Sequence, residues 1–435
     1  MADGPAQAGQ ARQPFSVMAK PVGSRCNLRC SYCYYRDKPA HGTSNPAASP
    51  SAPAAGRMDD ALLELFIRSY IEASPGPEVS FVWHGGEPSL AGLAFYQRAV
   101  QLQRKYLPEG WEAWNNLQTN GVLLDDEWCS FLAESGFDVG LSIDGTQQLH
   151  DRYRQDARSQ GSYQAAYEAV RRLMAQGVRP DLLCTVTSTA AEDPLGTYRA
   201  LRDLDSGWIQ FIPIVRRDSE GQPTPDSVSA EAYGSFLCAV FDEWAAHDFG
   251  RLEVQLFAEL GRVWAGGSAG LCWMAPTCGR ALIVEQDGSV YSCDHFVFPE
   301  YRIGDIRQTT LRELADSPSQ QRFSVDKTAG LPKQCLECTW LDVCNGGCPK
   351  DRFALSGDGE PGLNHLCGGL ARFYPYAYPL LQEAAQLRRA GLASSSIAAR
   401  LGEMVDARWQ GVGRNDKCVC GSGRKAKACC WYRRP

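Results

Sequence analysis

Eighteen cysteines in a chain of 435 residues limit what this sequence can become more than any other feature. They are grouped. Cys26, Cys30 and Cys33 fall within one octet, and eight more run from Cys272 through Cys278, Cys293, Cys335, Cys338, Cys344 and Cys348 to Cys367. Cys418, Cys420, Cys429 and Cys430 close the chain. Cys129, Cys184 and Cys238 stand alone, as ordinary buried thiols do. A small secreted protein could join such residues as disulfides. This chain is long, however, and its opening MADGPAQAGQARQPFS lacks the apolar core of an export signal. In a reducing cytosol, thiols clustered in this way point to metal.

The charge balance narrows the class. Forty-four basic against fifty acidic residues leave a net charge of −6, which argues against a protein built mainly to grip nucleic acid. No run approaches the ~18 consecutive apolar residues of a membrane span. The expectation is a soluble, cytoplasmic chain with no membrane partner, of two or three domains or one large barrel.

Between residues 16 and 235, short β-branched or aromatic runs (16–20, 79–83, 114–118, 139–143, 182–187 and 208–215) alternate with segments of helical periodicity. Such alternation predicts an α/β fold, a parallel sheet with helices outside, and six units suit a partial (β/α)6 barrel better than a complete one. Chemistry in such folds sits at the C-terminal strand ends. There the sequence places CNLRC, HGGEP, QTNG and SIDG after the first four runs. Residues 1–15 read as a flexible tail and 41–56 as a flexible insertion, since neither has much to bury. A helical link is expected at 236–265, a cysteine-rich domain at 266–380, a helical linker at 381–412 and a small metal module at 413–435.

Cys26-Asn-Leu-Arg-Cys30-Ser-Tyr-Cys33 spaces three thiols as C-x3-C-x2-C. Three thiolates can hold three irons of a cubane and leave the fourth open, whereas zinc would want a fourth ligand nearby. Together with Gly85-Gly86-Glu87-Pro88 after the second run, this resembles the signature of the radical S-adenosylmethionine (SAM) superfamily. The resemblance implies a 4Fe-4S cluster on these cysteines and SAM at its open iron. It also implies that the Gly85, Gly86 and Glu87 segment takes the methionine amino group and that Tyr32 lies near the adenine. Ser142 and Arg154 would help hold the ribose and carboxylate. Arg154 closes His150-Asp151-Arg152-Tyr153-Arg154, similar to the family's H-D-x-x-R, and a guanidinium suits a carboxylate as a planar double donor. The run 209–215 resembles the strand that lies against adenine, although core packing explains it equally well.

The eight thiols between Cys272 and Cys367 suffice for two fully ligated four-iron clusters or two four-cysteine zinc sites. Their pattern resembles the SPASM auxiliary-cluster domain of peptide-modifying radical SAM enzymes. In that family the ligands interleave. Cys272, Cys278, Cys293 and Cys348 would hold one cluster, and Cys335, Cys338, Cys344 and Cys367 the other. Asp294, directly after Cys293, tightens the resemblance to the anaerobic sulfatase-maturating enzymes, where the aspartate at this place acts as base toward substrate. That implies abstraction of a Cβ hydrogen from a cysteine or serine of an unfolded sulfatase polypeptide. Asp294 would remove the heteroatom proton and an auxiliary cluster would take the electron, giving the aldehyde of Cα-formylglycine from serine, or from cysteine a thioaldehyde that water hydrolyses to it. An electron donor such as flavodoxin or ferredoxin would reduce the first cluster. Two other readings remain at this point: a SPASM maturase that crosslinks a ribosomal peptide, and a zinc-rich binding protein without redox chemistry.

The last group, Cys418-x-Cys420-x8-Cys429-Cys430, resembles the zinc-binding SEC-C motif. Four thiolates close a tetrahedral zinc, and so small a module needs the metal to fold. Arg414, Lys417, Arg424, Lys425 and Lys427 make it basic. Its partner is not readable from the sequence.

Overall fold

The structure, a computed structural model, describes residues 14–35 and 56–431. The expected flexible tail and the insertion at 41–56 therefore lie outside the described residues, apart from 14–15 and Gly56.

The apolar runs form parallel strands. β1 (Ser16–Lys20), β2 (Glu78–Trp83), β3 (Glu112–Thr119), β4 (Phe137–Ser142), β5 (Asp181–Val186) and β6 (Trp208–Pro213) lie side by side in chain order. The alternation in β2, with Val79, Phe81 and Trp83 inward, is that of a strand with one covered face. The helices between them are α1 (Asp60–Ala73), α2 (Leu93–Tyr106), α3 (Asp126–Glu134), α4 (Gln147–Tyr153), α5 (Tyr163–Ala175) and α6 (Pro194–Arg202). Side-chain caps set the starts of α1, α3 and α4, with Asp59 on Leu62 N, Asp125 on Trp128 N and Thr146 on Leu149 N. Phe66, Tyr70, Phe81, Trp83 and Tyr96 interlock edge to face between the sheet and its helices.

The sheet does not stop at six strands. After α7 (Ala230–His247), the short β7 (Glu253–Val254) continues it beyond β6 and leads into α8 (Gln255–Trp264). On the other flank, β8 (Ala281–Glu285) pairs in parallel with β1 and sets Lys20 opposite Glu285. β9 (Ser289–Tyr291) and β10 (Arg302–Asp305) add to it antiparallel. The cysteine-rich region is thus stitched to the first barrel strand, which carries Cys293 and Asp294 to the same rim as the first cysteine loop.

Four short helices follow, α9 (Leu311–Ala315), α10 (Pro318–Ala329), α11 (Lys333–Leu336) and α12 (Leu341–Cys344), with Cys335 in α11 and Cys344 at the end of α12. The long α13 (Cys367–Arg389) and α14 (Ser394–Trp409) follow and pack on α7, so the segment 381–412 is built into the core. Glycines let α7 and α13 approach closely, because a Cβ on Gly369 would stand 2.1 Å from Ala230 O. The tail packs on the same body, with the Trp409 and Trp431 rings 5.7 Å apart. Among the described residues no helix is long and apolar enough to cross a membrane.

Candidate active site and thiol clusters

The three-cysteine loop leaves β1 and is braced by the loop after β2. Gly86 N donates to Gly23 O and Glu87 N to Arg25 O, both at 2.8 Å. A Cβ on Gly86 would stand 2.1 Å from Arg25 O, and Gly85 has φ +133°. The glycines are therefore required by backbone laid against backbone. Glu87 is buried, and its carboxylate ties the loop after β2 to the end of β3. Oε1 accepts from Ser89 N (3.0 Å), Ser89 Oγ (2.6 Å) and Thr119 Oγ1 (2.8 Å), and Oε2 from Asn120 N (2.8 Å). Burial raises its pKa, and the donors work against that rise. Asn120 Nδ2 in turn donates to Asn27 Oδ1 at 2.8 Å and lies 3.8 Å from Cys26 Sγ.

Burial pushes the Cys26 thiol up to about 12, with the Glu87 carboxylate adding to the rise, and pushes Cys30 up to about 11. Thiols so placed become thiolates when a cation takes the place of the proton, so the donor set fits a cluster. Leu28 N already points at Cys26 Sγ (3.3 Å), a donor suited to a ligating sulfur.

Across the rim, Arg154 meets a buried carboxylate of this chain. Its Nε and Nη2 donate to Asp144 at 2.8 and 3.2 Å. Tyr32 also donates to Asp144, and Thr185 N does so at 2.8 Å. Burial alone would raise the Asp144 carboxyl, but Arg154 and its hydrogen bonds hold it below the usual range. The guanidinium stands 5.5 Å from the Tyr32 ring centroid, and Ser142 ends β4 two residues before Asp144. His150 accepts from Asp144 N through Nδ1 (3.2 Å) and meets Ser162 Oγ through Nε2 (3.0 Å). Burial pulls its pKa down to about 4, so it is a neutral brace.

Asp294 lies where the two cysteine regions meet. Lys20, fully buried at the end of β1, donates to Asp294 Oδ1 at 2.5 Å, and Tyr34 donates to Oδ2. The Tyr34 hydroxyl interacts with both Cys33 and Cys293, bridging the first cysteine loop and the later region. Lys20 also reaches His84 Nδ1 (3.0 Å) and lies over the Tyr35 ring (4.6 Å), whose hydroxyl donates to Glu285. The Asp294 side chain keeps 18% of its surface exposed while Lys20 keeps none, so the carboxylate faces the opening with its counter-ion behind it.

The eight later thiols form two neighbourhoods. Cys272 interacts with Cys278, Cys293 and Cys348, and Cys293 with Cys348. Cys367 interacts with Cys344, Cys335 and Cys338. The buried Lys327 shapes the first group by donating to Cys272 O (2.8 Å), Trp273 O (2.9 Å) and Ala275 O. Arg352 gathers the 345–347 turn between Cys344 and Cys348 through Asn345 O (2.7 Å), Gly346 O (2.9 Å) and Gly347 O (3.1 Å). In the tail, Cys418, Cys420, Cys429 and Cys430 are all buried, with sulfurs within 4.8 Å of one another. Zn–S bonds of about 2.3 Å in a tetrahedron set sulfurs about 3.8 Å apart. Cys420–Cys429 and Cys429–Cys430 stand at 3.4 and 3.6 Å. The tail therefore fits a single tetrahedral ion.

Sequence reasoning missed Lys20, Tyr34, Asp144, His84 and Asn120. The SIDG and QTNG motifs contained Asp144 and Asn120, and Tyr34 adjoins Cys33. Lys20, the last residue of an apolar strand, carried no local signal.

Residues 21–191 match the radical SAM superfamily, 272–339 an iron–sulfur cluster-binding domain known as SPASM, and 414–431 the SEC-C motif. A serine-type anaerobic sulfatase-maturating enzyme of Bacteroides thetaiotaomicron is 42% identical over 384 residues, 85% of this chain and 91% of that one. A cysteine-type enzyme of Clostridium perfringens is 33% identical, covering 85% and 97%. The solved structure of anSMEcpe with bound AdoMet and the Cp18Cys peptide superposes with a TM-score of 0.77 at 32% identity, covering 86% of this chain and 99% of that one.

Proposed function

The chain belongs to the anaerobic sulfatase-maturating enzymes, radical SAM oxidoreductases that convert a cysteine or serine of a sulfatase to formylglycine, and from that premise we propose how its own residues divide the work. It uses SAM and iron–sulfur clusters and acts on a sulfatase peptide. Cys26, Cys30 and Cys33 hold the cluster that binds SAM. Cys272, Cys278, Cys293 and Cys348 hold one auxiliary cluster, and Cys335, Cys338, Cys344 and Cys367 a second. Bound at the first cluster, SAM supplies the 5′-deoxyadenosyl radical that takes the Cβ hydrogen of the target residue.

In this reading Asp294 accepts the thiol or hydroxyl proton of the target. The observation that carries it is the bridge in which Asp294, directly after Cys293, is held by Tyr34 of the first cysteine loop and by Lys20. Lys20 and Tyr34 orient the carboxylate by donating to its two oxygens, which positions a base for the proton it is to take. Arg154 and Asp144 fix Tyr32 beside the SAM pocket, and the backbone of Gly85 and Gly86 offers the methionine end its contacts. The peptide enters unfolded, and a donor such as flavodoxin or ferredoxin supplies the electron. Zinc closes the tail.

The test is anaerobic incubation with SAM, reductant and matched peptides bearing cysteine or serine at the target position, read by mass spectrometry. Formylglycine on either peptide supports the reading. A thioether or carbon–carbon crosslink, with no aldehyde, overturns it.

A further inference from the structure

The tail's four thiols are not packed among themselves alone. Ser235 Oγ on α7 stands 3.3 Å from Cys429 Sγ, and Cys430 Sγ stands 3.8 Å from Ser235 O. One helical turn on, Cys238 presents its thiol to Cys420 and Cys430. From α13, Arg372 Nη2 donates to Ser235 Oγ (3.2 Å) and to Glu231 O (2.5 Å). Within the tail, Ser422 Oγ adds a contact to Cys429 at 3.1 Å.

A divalent ion with four thiolates carries excess negative charge, and burying that charge requires donors around the sulfurs. The barrel side supplies a hydroxyl, a thiol and, one bond further out, a guanidinium. Those donors sit where α7 and α13 cross, since a Cβ on Gly234 would meet Arg372 Nη2 at 2.4 Å and Gly369 Cα at 2.8 Å. α13 begins at Cys367.

We propose that the tail is a metal-dependent clamp on the catalytic body. Ser235 and Cys238 of α7 and Arg372 of α13 are outer partners of the tail's metal-bound thiolates, and metal in the tail holds together the crossing from which Cys367 projects. This rests on the reading of the tail as a zinc site. It makes Cys238 a working part of that site, where the sequence suggested an isolated core thiol.

The experiment uses the full-length protein, purified anaerobically with clusters and zinc in place. Zinc content, the rate of zinc loss to a chromogenic chelator and tryptic cleavage after Arg414 are followed together. Outer partners of a metal site typically contribute 10–100-fold to metal affinity. Ser235→Ala with Cys238→Ala should therefore still hold about one zinc but lose it at least ~10-fold faster, with faster cleavage after Arg414. Cys238→Ser and Arg372→Lys, which keep the donor and the charge, should stay near the wild-type rate. The iron content and brown colour of each variant control for folding. Wild-type zinc loss and cleavage in the double variant would overturn the clamp while leaving the zinc reading intact. A wild-type protein without zinc would overturn the zinc reading, and the clamp with it.

Discussion

In the rim loop three thiols sit half-buried at the opening of the barrel, while in the tail four thiols are fully buried with their sulfurs within 4.8 Å of one another. The ligand atom is the same in both. Three thiols around a wider space leave a coordination position for a reactant, which a catalytic centre needs. Four thiols closed on a point leave none, as in structural sites. The supports differ in the same sense. The rim loop is braced by the Gly85–Glu87 turn and Asn120, at the C-terminal ends of β2 and β3, whereas the tail is braced by the helices α7 and α13.

The largest expected effect tests that contrast directly. Replacing Cys26, Cys30 and Cys33 together by alanine should abolish SAM cleavage and remove about four irons, the content of one cubane, while tail zinc is retained. Cleavage that persists in this variant would falsify the assignment of the rim loop. Next comes Asp294→Asn, which keeps the shape but cannot take the proton. A placed general base contributes ~10²–10⁴-fold, so formylglycine yield should fall at least about a hundredfold while 5′-deoxyadenosine continues to form. Equal loss of both products would make Asp294 structural. Lys20→Met should move the same ratio in the same direction, because the carboxylate loses its buried counter-ion.

A smaller effect is expected from Gly86→Ala. The added methyl cannot fit 2.1 Å from Arg25 O, and overpacking of this kind typically costs about 1–3 kcal/mol. The thermal midpoint should drop and the rim cluster should load poorly, while zinc binding is unchanged. Wild-type iron content would show that the two loops can part without consequence.

The smallest effect is on pH. His150 has a folded pKa of about 4 against 6.5 in the unfolded chain, so the unfolded state binds the extra proton between those values. Asp144, held low by Arg154, shifts the balance the same way at lower pH. The contribution of His150 is therefore complete above about pH 6.5 and is lost progressively as pH falls toward 4. Denaturant titrations of wild type and His150→Asn at pH 7.5 and 5.5 should show a shallower loss in the variant, and parallel curves would remove His150 as the cause.

Much of the fold and of the candidate site was legible in the sequence, because those features are local. The six central strands follow from the alternation of apolar and polar side chains, and β1 at Ser16–Lys20 matches its apolar run to the residue. The spacing of thiols within one loop announces the element that needs them, as with Cys26, Cys30 and Cys33. The features that escaped are long-range. Lys20 and Asp294 are 274 positions apart, and their ion pair exists because β8 lies in parallel beside β1. Ser235 and Cys429, 194 positions apart, meet because α14 folds back along α7 and returns the tail to it.

The sequence by itself determined the strand and helix periods, the glycine turn after β2 and the number of thiols available at each centre. Tertiary structure decided which counter-ion stands behind Asp294, which carboxylate Arg154 grips and what the tail rests on. The reason is physical. A hydrophobic period or a ligand spacing is a property of consecutive residues, whereas a buried charge is stabilised by whatever partner the packing of distant segments brings within hydrogen-bonding reach.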